Sequence, residues 1–258
     1  LTSQTPAWSE GSFLAVHNWW HLALFHLGLG QIDEVLALVD ERILGGASPV
    51  VLDMIDASAM LWRLQLRGVP VGERWRALAE RWTAASAHST YAFNDMHAMM
   101  AFVGADRMGD AEHLLMAQQH ALEGDSDNRL FLREVGIDAT RAIHDFATGR
   151  YADAAERLRT IRPLAHRFGG SHAQRDVIDL TLIEAASRAG QSALADALRK
   201  KPVPGSLGTG PQAALLTPLS SAGIDVRVMS ERIGDASAIK MCYASYTKGA
   251  VALGVEML

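Results

Sequence analysis

Apolar residues recur at three- and four-residue intervals through most of 11–200, and no stretch there alternates with period two for long enough to make a convincing strand. The pattern predicts an all-α segment. Turn signals interrupt it at regular intervals: Gly30 before Gln31, Gly68 before Val69, Arg107 before Met108, Gly149 before Arg150 and Gly190 before Gln191. These marks lie 38, 39, 42 and 41 residues apart, which leaves room for two helices and two short turns in each interval. First helices are expected at about 11–29, 49–67, 90–106, 127–148 and 171–189. Each second helix opens with similar chemistry, as in GQIDEVLALV (30–39), MGDAEHLL (108–115), GRYADAAERL (149–158) and GQSALADAL (190–198), where a small residue lets two helices approach closely.

The repeat is a degenerate one, somewhat longer than the ~34 residues of a strict tetratricopeptide unit. It predicts a solenoid of antiparallel helical hairpins over 1–201, with one apolar face buried against the next hairpin and a concave surface lined by the first helices. Such a surface suits a protein or peptide partner. Polar residues interrupt the apolar runs of these helices: His17 and His21 in the first, Asp53 and Asp56 in the second, Asn94, Asp95 and His97 in the third, and Gln174, Arg175 and Asp176 in the fifth. Burying them unpaired would cost about 1–3 kcal/mol each, so they are expected to bond to one another or to face the groove. Trp62, Trp75, Trp82, Met96, Met99 and Met100, at helical spacing, read as core.

His17 and His21 stand at i and i+4, the spacing by which a helix presents two ligands to zinc. Position 18 is Asn, where an HExxH helix has its general base, and the flanking Trp19 and Trp20 suit two core histidines equally well. Asp95 with His97, or Asp53 with Asp56, would complete a ligand set or an acid/base pair, or would simply satisfy the histidines. Arg175 and Asp176 read as partners in an inter-repeat ion pair, with Arg175 as an anion-binding residue the other reading.

The segments FLAVHNWWHLALFHL (13–27), VLDMIDASAMLWRLQLRGVPVGERW (51–75), AFNDMHAMMAF (92–102) and GGSHAQRDVIDLTLIEAA (169–186) resemble, in order, the tetratricopeptide repeat protein 38 family. The resemblance covers about 11–200 and implies an α-solenoid of atypical repeats with no established activity. It places functional weight on His17, Trp20, His21, Asp53, Asp56, Asn94, Asp95, His97, Gln174, Arg175 and Asp176. The family has further helices before its HNWWH-like segment, and a chain that opens on Leu1 reads as a piece of a longer protein.

The pattern changes at 202–210, where Pro202, Pro204, Gly205, Gly208 and Gly210 read as a linker. Beyond it the periodicity predicts a short helix at 211–223, a strand at 224–230 and a long apolar helix at 235–258. The run IGDASAIKMCYASYTKG (233–249) resembles part of the 6-phosphogluconate dehydrogenase-like, or β-hydroxyacid dehydrogenase, family. That resemblance implies an acid/base role for Lys240. The usual Asn pair after the lysine is replaced by Met241-Cys242-Tyr243-Ala244, and no GxGxxG phosphate loop occurs in the chain, so no NAD(P) and no other cofactor is expected. A genuine fusion, a fragment and a join made in assembly would all produce this succession.

Composition changes this picture little. The 258 residues are 49% hydrophobic and 21% charged, with a formal charge of −5 and no basic stripe, which excludes nucleic acid as a partner. Cys242 stands alone, and no stretch has the length of a signal peptide or membrane span, so a cytoplasmic protein is expected. The apolar run at the C-terminal end favours self-association.

Overall fold

A computed structural model describes residues 13–46 and 48–200, and these are helical with no β-strand among them. The linker, helix, strand and Lys240-bearing helix expected over 202–258 lie outside the described residues. In chain order the helices are α1 (Ala15–Gly28), α2 (Ile32–Leu38), α3 (Val51–Leu66), α4 (Arg74–Ala85), α5 (Ala92–Gly104), α6 (Met108–Ala121), α7 (Asn128–Phe131), α8 (Ile137–Ala147), α9 (Tyr151–Ile161), α10 (His172–Arg188) and α11 (Ser192–Lys200). A π-helical turn, Val39–Ile43, extends α2, and another, Leu132–Gly136, joins α7 to α8. A 3-10 segment, Arg162–Phe168, follows α9.

One local device closes five of the helices. The backbone N–H of Gln31 donates to His26 O (3.0 Å), Val69 to Leu64 O (3.0 Å), Arg107 to Phe102 O (2.8 Å), Arg150 to Asp145 O (2.8 Å) and Gln191 to Ala186 O (2.8 Å). Each is the long bond of a Schellman turn, which satisfies carbonyls the helix end leaves open. The residue before each donor has positive φ: +73° at Gly30, +74° at Gly68, +57° at Asp106, +79° at Gly149 and +74° at Gly190. The third turn is thus keyed on Asp106, where the sequence pattern pointed to Arg107. Asp takes the left-handed region at less cost than most residues, which is why the turn forms there without glycine.

The helices fall into two rows. α1, α3, α5, α8 and α10 are neighbours in succession; α2 packs on α1, α4 on α3 and α5, α6 on α5 and α8, α9 on α8 and α10, and α11 on α10. α10 also returns to pack on α3. There Trp62 Nε1 donates to Thr181 Oγ1 at 2.9 Å, across 119 residues of chain. The inner-row helices therefore meet one another through their own side chains, and Trp62, Trp75, Trp82, Met96, Met99 and Met100 are all buried in the shared core. No helix among the described residues is long and apolar enough to cross a membrane.

Candidate functional site

The polar residues of α1, α3 and α10 converge at one junction. On α3, Asp53, Asp56 and Arg63 follow at spacings that keep them on one helix face, and on α1 so do His17, Trp20 and His21. Asp56 is fully buried; its Oδ2 lies 2.8 Å from His17 Nδ1, and its Oδ1 accepts from Gln174 Nε2 at 3.3 Å. His21 Nε2 lies 3.2 Å from His17 Nε2. With Asp56 ionised, His17 donates from Nδ1 to the carboxylate and accepts at Nε2 from the His21 N–H. The Trp20 ring stacks on His17 at 5.5 Å between centroids and presents an edge-on contact to His21 at 5.0 Å.

Arg63, 2% exposed, forms the other end of this cluster. It donates to Ala59 O at 2.8 Å and to Ala173 O at 2.6 Å, ion-pairs with Asp176, and stands 5.5 Å over the Trp20 ring. Burial pushes the Asp56 carboxyl above its usual range, with the His17 contact acting against it. Burial does the same to Asp176, and the Arg63 charge opposes it. Asp53 is buried, and its Oδ1 has no hydrogen-bond partner among the described residues.

Gln174 serves two elements at once. With Ser171 it forms the capping box of α10, Gln174 N–H donating to Ser171 Oγ (3.3 Å) and Ser171 N–H to Gln174 Oε1 (2.9 Å), while Nε2 reaches Asp56. Its neighbours separate. Asp176 pairs with Arg63, whereas Arg175 donates to the carbonyls of Gly169 and Gly170. Those glycines allow the close approach, since a Cβ at Gly169 would overlap the Tyr91 hydroxyl and one at Gly170 the Phe93 ring. The inter-repeat ion pair is Arg63–Asp176, not Arg175 with Asp176.

Asp95 and His97 do not pair, because two positions apart on α5 they face opposite sides. His97 is buried and donates from Nδ1 to Phe93 O at 2.8 Å; burial, with the Arg63 charge added, pushes its pKa down to about 4. Asp95 faces α6 and α8, where its Oδ2 accepts from Ser89 Oγ (2.5 Å) and Gln118 Nε2 (3.0 Å), and Gln118 Nε2 also donates to Thr140 Oγ1 (3.0 Å). Burial pushes Asp95 up to about 6. Asn94 is half-buried beside it.

His17, Asp53, Asp56, Asp95, His97 and Gln174, expected to bond to one another or to face a concave groove, are thus buried, with Asp56 bonded to His17 and Gln174. At the junction of α1, α3 and α10 the physical reason is the return of α10 onto α3, which turns these faces toward one another, whereas Asp95 is buried against α6 and α8. Among the described residues no three His, Cys, Asp or Glu side chains are arranged to hold a metal ion, His17 and His21 included. Pattern reading missed Arg63, Ser89, Gln118 and Thr140. For Arg63 a signal existed, the single cation in the apolar run ASAMLWRL (57–64), on the face already marked by Asp53 and Asp56. No family model matches the chain, and no solved structure matches it.

Proposed function

We propose that this chain is a helical-repeat protein of the kind it resembles, whose working part is an acid–base relay, Asp56–His17–His21, acting on a small ligand at the junction of α1, α3 and α10. The observation that carries this reading is the unbroken line of contacts from Asp56 Oδ2 to His17 Nδ1 (2.8 Å) and from His17 Nε2 to His21 Nε2 (3.2 Å). A carboxylate on one nitrogen fixes the imidazole tautomer and leaves the other nitrogen to take a proton. His21, the half-buried member, is where the proton enters; His17 and Asp56 position it and accept it in turn. Nitrogen-detected NMR of the histidines tests the relay. The expected result is His17 protonated at Nδ1 near neutral pH, with that tautomer lost in Asp56→Asn. His17 protonated at Nε2 under the same conditions would exclude it.

A second reading, a solenoid scaffold for a protein or peptide partner, is favoured by the five helices that end in one turn geometry. Arg175, half-buried at the edge of α10, is then a contact residue. Arg175→Ala would abolish capture of a defined partner while far-UV circular dichroism stays unchanged, and undiminished capture would remove Arg175 from the surface.

A further inference from the structure

Between the 3-10 segment and α10 lies a cleft of about 370 Å³ lined by Arg162, His166, His172, Arg175, Asp176 and Asp179, with Ile178 at its apolar part. Its charges are not balanced. Each carboxylate already has a cation of its own: Asp179 pairs with Arg162, and Asp176 with the buried Arg63. Arg175 has no carboxylate within ion-pair distance among the described residues, nor has His166 or His172, both exposed. A cavity whose anions are neutralised and whose remaining ionisable groups are all basic attracts negative charge.

Arg175 is also held ready. Its NH1 is spent on the Gly169 and Gly170 carbonyls, and that turn is fixed in place by its packing on Tyr91 and Phe93. An anchored guanidinium keeps further N–H donors, in the planar fork that matches two oxygens of a phosphate or carboxylate. Little rotamer freedom is then lost on binding. His172 is at α10's first position, three residues before Arg175 on the same helix face, and both side chains line the cleft.

We propose that this cleft is a binding site for a small ligand carrying an anionic group, phosphate or carboxylate, with Arg175 and His172 as its principal contacts. It lies on a different face of α10 from Gln174 and the Asp56–His17–His21 relay, and it stands whether or not the relay does.

Isothermal titration of the whole chain with inorganic phosphate and, separately, with malonate tests the site, at ionic strength held constant with chloride. Saturable binding of either anion is expected, weakened about tenfold or more in Arg175→Gln, the usual effect of deleting a charge-assisted contact. Because Arg175 also clamps the Gly169–Gly170 turn, the exposed His172→Asn is measured beside it and should weaken binding with its thermal unfolding unchanged. Phosphate alone saturating would point to a phosphorylated ligand, malonate alone to a carboxylate, and either supports the anion site. Heat that fails to saturate with both anions, or affinities equal in wild type and both variants, would overturn it.

Discussion

Asp95 carries a proton-linked cost that Asp95→Asn should remove. Its carboxyl is 1% exposed, and burial raises its pKa from the ordinary 3.8 to about 6. A carboxyl raised by folding favours the folded state below its unfolded pKa, and that contribution is lost as pH rises through the folded value. Two pH units at about 1.4 kcal/mol each make ionised Asp95 cost about 3 kcal/mol at pH 7, falling to about 1 kcal/mol at pH 4.5. The neutral amide keeps an oxygen for the Ser89 hydroxyl and the Gln118 amide. Gln118, which already reaches Asp95 through Nε2, has its Oε1 buried without a partner among the described residues, an acceptor open to a neighbouring donor. Asp95→Asn should therefore stabilise the protein by about 2–3 kcal/mol at pH 7 and by about 1 kcal/mol at pH 4.5. Urea unfolding followed by tryptophan fluorescence and far-UV circular dichroism at both pH values measures this, with an unchanged m-value as the check on two-state behaviour. Destabilisation at pH 7, or the same change at both pH values, would refute the reasoning.

His97 has the opposite sign. Its pKa is depressed to about 4, so its contribution is present above pH 6.5 and lost as pH falls through the folded value; His97→Gln should flatten the acid limb of the stability curve, and an unchanged limb would contradict the buried neutral imidazole. Arg63→Met strands Asp176 and should cost about 3 kcal/mol by chemical denaturation, with part of the loss recovered in Arg63→Met/Asp176→Asn; equal loss in single and double variants would show that the pair is not the cause. Gly149→Ala should cost about 1–2 kcal/mol for the left-handed backbone alone, since a Cβ there meets nothing within 4 Å, whereas Asp106→Gly should cost nothing. Equal melting shifts in the two would argue against a shared turn geometry.

Helix and turn positions between 13 and 200 were legible in the chain because they depend on near neighbours. An apolar stripe at the helical period declares a buried face wherever it packs, and glycine just past the last periodic residue declares a left-handed stop. Four of the five turns carry that glycine; the fifth was placed one residue late because aspartate, a weaker signal, takes its role at Asp106. Which polar residues meet was not legible in the same way. Asp56 finds His17 across 39 residues and Gln174 across 118, and Arg63 finds Asp176 across 113. The first depends on how α1 packs on α3 and the other two on the return of α10 onto α3, properties of packed side chains rather than of any local run. The same packing decided that Asp56, Gln174 and Arg63 are buried, whereas the separation of Asp95 from His97 follows from their two-residue spacing on one helix. Local chemistry set the helices and their ends; only the closure of the inner row decided that their polar faces would look at one another.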